Sequence, residues 1–343
     1  DMLNGDYATN LAFIISKTEK ISPKESAEKI IPKLEISLKE VVSKIEVAGT
    51  GFINFYLKDE VIRKHIKEIE NISSFKTKFS GKKILVEHSS PNLFKPFHIG
   101  HLMNNIIGES VVRMIRLGGG DVKPLCFPSD MSIGIAKAMY IILEDEKKGV
   151  DVLKMENKEQ INYLGDAYVK GVKYFEENEN EIQKAKDISN IIYDISFEDE
   201  LDKKYKKLKE INLSYYLDVI KSLGSDISQK ENIIFESEAG LRGKEIIKEN
   251  TPNIFKESEG AIVYVPDEER KDINTTVFIN SEDIPTYGAK DIGLLDIKFS
   301  KYNPELSITV TDNEQIPHFK VVLDAALKID KEWAEKSRHI AHG

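Results

Sequence analysis

Residues 84–116 restrict the possible folds of this chain more than any other stretch. Ile84-Leu85-Val86 is an apolar run suited to a buried strand, and a helical apolar period follows at Ile106, Ile107, Val111, Met114 and Ile115. Between them runs the loop Ser89-Ser90-Pro91-Asn92-Leu93-Phe94-Lys95-Pro96-Phe97, and His98-Ile99-Gly100-His101 opens the helix. A strand feeding a helix in this way is the first half of a β-α-β unit of the nucleotide-binding kind. A helix start offers unpaired N–H groups and partial positive charge, which suit a phosphate. Two imidazoles there add donors, and Gly100 removes a side chain where a base can lie flat. Such a start suits adenylate formation.

The rest of the chain can be arranged around that unit. Gly118-Gly119-Gly120 ends the helix, with Arg113 and Arg116 near its negative end, and a strand over 122–127 leads to the turn Pro128-Ser129-Asp130. Residues 133–223 are charged and helical throughout, their Lys and Glu marking solvated faces around narrow apolar stripes. Strand patterns resume at 231–235, 261–265, 275–280 and 306–311, then a helix over 314–330 and an apolar-histidine segment at 338–342. Before the unit, helical spacing covers 7–17 and 24–46, with Ser22-Pro23 and Glu25 as a helix start. Residues 45–57 read as sheet with a glycine turn, and 60–72 as another helix. The expected domains are a small α+β unit over 1–74, a Rossmann-like α/β domain over 81–132 and 224–343, and a helical insertion over 133–223.

Composition narrows the class. A chain of 343 residues, 41% hydrophobic and 31% charged, is globular and long enough for about two to three domains. It has no run of about 18 apolar residues, so no membrane partner is expected, and its start lacks the basic segment of a secretory signal. The single cysteine, Cys126, excludes an internal disulfide and fits a reducing cytoplasm. A net charge of −9 argues against an RNA footprint spread over the whole chain, and leaves room for a local basic groove. His65, His88, His318, His339 and His342 read as structural. The histidine spacing lacks the paired short-range ligands of a zinc site, so no metal site is expected in the protein.

Five motifs occur in order: Gly5-Asp6-Tyr7-Ala8-Thr9-Asn10, Gly51-Phe52-Ile53-Asn54, Ser89 to His101, Tyr287-Gly288-Ala289-Lys290-Asp291 and Gln315-Ile316-Pro317-His318-Phe319. Together they resemble the arginyl-tRNA synthetase family, class I aminoacyl-tRNA synthetases, over the whole chain. A bare His-x-Gly-His is a weak signal; the thirteen-residue motif around it is specific. The resemblance implies a doubly wound parallel sheet and an arginine–tRNA ligase in the cytoplasm, commonly a monomer. Its substrates are ATP with Mg²⁺, L-arginine and the matching tRNA. Arginine's carboxylate attacks the α-phosphate of ATP, and the arginyl group then passes to the terminal adenosine of the tRNA.

The same resemblance assigns residues. His98, His101 and Lys95 match the phosphate-contacting catalytic positions, with Pro96, Phe97 and Gly100 completing the ATP site. Magnesium is held by phosphates and water rather than by a protein cage. A planar guanidinium calls for carboxylates in its own plane, and Glu87 and Asp291 match the family's acidic pair. Tyr287, four residues before Asp291, shares its helical face and borders the side-chain slot. Ser89, Asn92 and Gln315 match the positions that hold the amino acid's polar groups. Asn54 and Tyr56, two apart on a strand, match a face that meets an unpaired base at the tRNA elbow.

Some features depart from the family pattern. The sequence ends at His339-Ile340-Ala341-His342-Gly343, which in the family precedes the second signature loop, Lys-Met-Ser-Lys-Ser or a variant. Neither that loop nor the helical anticodon-binding domain is in this sequence. The expectation is a fragment with little or no activation activity alone, because the loop's lysines neutralise the leaving pyrophosphate. Asp283 stands near a usual glycine, and Asp is among the residues that tolerate a left-handed turn. A non-catalytic tRNA-binding paralogue is the alternative, against which the intact His98, His101 and acidic pair speak.

Overall fold

The computed structural model describes residues 5–70, 77–193, 199–228 and 230–343. The chain divides into two compact units, Asp1–Ser73 and Ser74–Gly343. Among the described residues, no helix is long and apolar enough to cross a membrane.

In the first unit, β1 (Tyr7–Thr9), α1 (Leu11–Glu19), α2 (Pro23–Ser37), β2 (Val42–Ala48), β3 (Phe52–Leu57) and α3 (Asp59–Glu70) follow in order. The sheet is antiparallel with β3 central, in the order β1-β3-β2. Ala12, Ala27, Ile45 and Ile53 form the core. Ser22 caps α2 by accepting the Glu25 N–H at 3.2 Å, with Pro23 in the first helical turn, as the sequence suggested. Two helical expectations need correction. Residues 7–9 are a strand, because Asp6 is anchored to β3: its N–H donates to Phe55 O and its carboxylate accepts the Leu57 N–H. The second helix stops at Ser37, and Val42 onward pairs with β3.

The second unit begins with β4 (Lys83–Glu87), α4 (Ile99–Leu117) and β5 (Asp121–Leu125). Four helices follow: α5 (Ile133–Glu146), α6 (Asn157–Glu177), α7 (Ile182–Tyr193) and α8 (Glu200–Ser222). They share one apolar core with Leu93 and Phe94 of the loop after β4. Next come α9 (Glu236–Glu249), β6 (Phe255–Ser258), β7 (Ala261–Tyr264), β8 (Thr276–Ile279), α10 (Tyr287–Tyr302) and β9 (Leu306–Asp312). α11 (Ile316–Ile329), α12 (Lys331–Lys336) and β10 (Ser337–His342) complete it.

A parallel sheet organises this unit, in the order β10-β9-β4-β5. From β4 the chain crosses through α4 to β5 on one side, while β9 and β10 lie on the other. The gap between β4 and β9 is therefore the switch point, where α/β sheets bind ligands beyond the strands' carboxyl ends. The closing 338–342 segment is the outer strand of this sheet, with His339 opposite Thr309 and His342 opposite Asp312. Residues 231–235, expected as a strand, are not one. Tight turns precede Ile233 and α9 starts at Glu236, so only one bridge, Cys126 to Ile233, forms. The 261–265 and 275–280 patterns belong to a separate antiparallel sheet, β6-β7-β8. Cys126 is fully buried, and its thiol donates to Ser89 O.

Helices α9 and α10 pack main chain to main chain. A Cβ on Gly243 would lie 1.8 Å from Ala289 O, and one on Gly293 would lie 1.9 Å from Ala239 O, so only glycine fits either place. Asp283, in the turn before α10, has φ 59°, the left-handed conformation that a glycine would adopt freely. Its carboxylate pairs with Lys244 and Lys248 of α9 at 2.7 and 2.8 Å.

Candidate active site

A cleft of about 680 Å³ opens at the carboxyl ends of the parallel strands. Its lining includes Glu87 from the end of β4, His98 and His101 from the start of α4, and Tyr287 and Asp291 from α10. Asn92 and Gln315 also line it.

Both imidazoles are fixed by local geometry. His98, in extended conformation, caps α4: its Nδ1 accepts the Gly100 N–H at 3.1 Å. His101 Nδ1 in turn accepts the His98 N–H at 3.3 Å. An Nδ1 that accepts carries no proton, so both rings are held as the Nε2–H tautomer and keep one N–H donor each. The rings stack at 3.9 Å. Burial, helped by the charge of Lys95, pushes His101 down to about 4, so it stays neutral at physiological pH. The result is a donor that brings no net charge and cannot be switched off near pH 7.

The loop before α4 is held in place by hydrogen bonds. Leu93 N–H donates to Ser129 O, Ser129 N–H to Pro91 O, and Phe94 N–H to Asn212 Oδ1 of α8. Asp130, fully buried, accepts Ser237 N–H and Oγ from α9 and Lys209 Nζ from α8 at 2.7–2.9 Å. Asn104 bridges the loop to β9: its Oδ1 accepts the Ser89 N–H and its Nδ2 donates to Val310 O.

On the carboxylate part of the lining, three acids, Glu87, Asp291 and Glu236, already have a cation. Glu87 Oε2 accepts from Lys298 Nζ and from Thr309 Oγ1. The Glu87 and Lys298 side chains are only 6% and 1% exposed, so each makes the other's burial tolerable. Asp291 Oδ2 meets His318 Nε2 at 2.5 Å. Burial works against a charged His318, yet the Asp291 carboxylate outweighs it, and His318 protonates above its ordinary value. Deeper in the same cleft, Lys290 Nζ bonds Glu236 Oε2 at 2.6 Å, and Ser129 Oγ donates to that same oxygen. With Asp312 and Glu314 also on the lining, carboxylates outnumber fixed cations. A cationic ligand suits that excess.

The structure thus brings Glu87, Asn92, His98, Gly100, His101, Tyr287, Asp291 and Gln315 to one cleft. Gln315 leads into α11 without a side-chain cap bond. Four expected residues differ. Ser89 lies behind the lining, its hydroxyl bonded to His88 Nδ1 and Asn105 Nδ2, and Ser90 takes the place on the surface. Phe97 packs against Tyr216 and His101 and supports the helix start instead. Pro96 abuts Gly165 of α6, and Lys95 Nζ sits over the Tyr168 ring at 5.4 Å. In the first unit, Asn54 is buried at 3% exposure in the central strand, so its amide does not offer itself to a base. Tyr56 is half-buried, its hydroxyl bonded to Glu46 and its ring under Lys44.

Sequence reasoning missed Lys298, His318, Glu236 and Lys290 as site residues. Lys298 carried a readable signal. It is seven residues after Asp291, hence on the same helical face, and it interrupts the apolar positions Ile292, Leu295 and Phe299. Lys290 and His318 stood inside two of the five motifs without a site role being given to them, and Glu236 carried no signal.

A parallel sheet with a histidine-capped helix start beside its switch point is the architecture of a class I synthetase catalytic domain. Residues 65–343 match the family model for the class I (R) tRNA synthetase catalytic domain, and residues 1–57 match the arginyl-tRNA synthetase N-terminal domain. The chain belongs to the arginyl-tRNA synthetase family. It is 32% identical to an arginine–tRNA ligase of Thermococcus sibiricus, over 90% of this chain and 50% of that protein. Identity to the arginine–tRNA ligase of Treponema denticola is 29%, over 99% of this chain and 57% of the relative. The chain thus spans about half the length of the curated relatives it matches. In fold it resembles the arginyl-tRNA synthetases of Plasmodium falciparum (TM-score 0.73, 21% identity, 100% of this chain and 60% of that one) and Thermus thermophilus (0.72, 22%, 98% and 60%).

Proposed function

We propose that this chain carries the amino-acid activation site of an arginine–tRNA ligase, joining L-arginine to AMP from MgATP and passing it to the 3′ end of a tRNA. One observation supports this above the others: neutral imidazole donors and a surplus of carboxylates line the same cleft. His98 and His101 donate through Nε2–H to the α-phosphoryl oxygens, where charge accumulates in the transition state. Lys95 serves the triphosphate, and the metal ion is carried by the phosphates. Asp291 and Glu87 hold the guanidinium, Tyr287 borders its slot, and Asn92, Ser90 and Gln315 serve the ammonium and carboxylate groups. The first unit contacts the tRNA, with Tyr56 as its stacking residue.

The test is titration calorimetry of L-arginine against citrulline, its neutral isostere. A pocket built on carboxylates binds arginine at least about 100-fold more tightly, since an uncompensated buried charge costs several kcal/mol. Equal affinity for the two, or binding of neither to the folded chain, overturns the reading.

A further inference from the structure

The two acids proposed for the guanidinium are paired with cations of different kinds. Lys298 is 1% exposed and bonds Glu87 from inside the protein. His318 is 23% exposed, lines the cleft itself, and meets Asp291 at 2.5 Å from the cleft side. The cation facing Glu87 is therefore sealed from solvent. Asp291 is neutralised by a group that solvent reaches and that has a neutral form.

We propose that His318 is a specificity-determining counter-ion for Asp291, replaced by the guanidinium of the incoming amino acid, so that arginine enters in exchange for a proton. The inference rests on the reading of the cleft as an arginine site. A guanidinium and an imidazolium on one carboxylate repel each other, so the group able to become neutral yields. The proton leaves His318 for solvent, and the net charge around Asp291 is the same before and after. A neutral ligand supplies no replacement charge and must leave the Asp291–His318 pair closed or break it without return. The pair thus rejects uncharged analogues before they reach Glu87.

The surroundings favour the exchange. His339 of β10 lies close enough that its charge and that of His318 oppose each other, and it is itself held below its ordinary value, mainly by burial. Phe319 stacks on His339 at 4.2 Å and meets His318 edge-on at 5.4 Å, so the imidazole stands between an apolar ring and Asp291. Of the other charged groups on the hollows around it, Glu87 pairs with Lys298 and Glu236 with Lys290, Arg338 bonds the Glu335 and Ser337 carbonyls, and Asp312 and Glu314 stand at the end of β9 and the turn into α11. Asp291 is the acid that His318 bonds.

Calorimetry of L-arginine binding to the whole chain at pH 6.5 in phosphate and in Tris decides the matter, because the two buffers absorb protons with different heats. The expected result is release of up to one proton per arginine. Affinity rises by up to about tenfold per pH unit until His318 is neutral, then levels. In His318→Gln the release disappears and affinity no longer varies with pH, whereas His339→Gln keeps both. Arginine binding with identical heats in the two buffers overturns the inference and leaves the arginine site intact. A His318→Gln variant that still releases the proton also overturns it. Failure of arginine to bind the folded wild-type chain at any pH sinks the site and the inference together.

Discussion

At the start of α4, two imidazoles use Nδ1 to accept main-chain N–H groups and remain neutral donors. On the part of the lining formed by β4, α10 and α11, the carboxylates of Glu87 and Asp291 are bonded by Lys298 and His318. The first arrangement is local: cap, ring and tautomer are set within four consecutive residues. The second draws on segments more than 200 positions apart in sequence. Stabilising an anion here needs only correctly turned dipoles, whereas holding buried acids ready for a cation requires resident charges from elsewhere in the fold.

The largest test of that contrast is Lys298→Met. Leaving Glu87 buried and unpaired is expected to cost about 3–5 kcal/mol in urea unfolding, and adding Glu87→Gln to the same chain should restore most of it. A loss under about 1 kcal/mol would show that Glu87 does not depend on its lysine.

Next in size is a crossed pair of binding measurements. Asp291→Asn should weaken arginine by about 2–3 kcal/mol, roughly 30- to 150-fold, and leave ATP affinity within about twofold. His101→Ala should do the reverse, with the loss falling on ATP. If either variant weakens both ligands equally, the cleft does not separate into anion-binding and cation-binding parts.

A pH titration followed by NMR sharpens the comparison further. Burial holds His88 and His101 near 4, so neither ring should titrate between pH 8 and 5, while His318 should titrate above 6.5. The linkage signs are opposite. Where the folded value is depressed, the unfolded chain binds more protons, so stability falls as pH drops from 6.5 toward 4. For His88 that amounts to roughly 3 kcal/mol, as an order of magnitude. Where it is raised, as for His318, the stabilisation is complete below 6.5 and is lost as pH rises through the folded value.

The smallest effect concerns the serines. Ser89→Ala removes the hydroxyl bonded to His88 and Asn105 and should cost about 1 kcal/mol of stability, with arginine affinity changed less than about twofold. Ser90→Ala should weaken arginine by more than that and also cost stability, since Ser90 lines the cleft and its hydroxyl accepts the Phe127 N–H.

The same contrast explains what could be read from sequence. The β4–loop–α4 unit was legible because a strand, a capping residue and a helical period follow one another without interruption. The Ser22 cap was legible for the same reason, whereas the left-handed turn at Asp283 was suggested only by the glycine usual near it in the family. Residues 7–9 misled because three strand residues beside a helix carry too little periodicity, and their anchor is Asp6 bonded to Leu57. Ser89 and Ser90 could not be told apart, since neighbours on a loop share a motif while pointing to different partners. Glu87 and Asp291 could be named as a pair, but that Lys298 and His318 are their partners becomes visible only once α10 and α11 are folded against β4 and β9.

The glycine contact between α9 and α10 has a practical consequence. Tyr287, Lys290, Asp291 and Lys298 all sit on α10, whose position is fixed by the main-chain seam at Gly243 and Gly293. An engineer altering the cleft thus works along a stationary rail, on which Tyr287 and Asp291 can be varied while Lys290 and Lys298 must keep their buried acids paired. One added methyl group at either glycine would shift the rail, and all four would move with it.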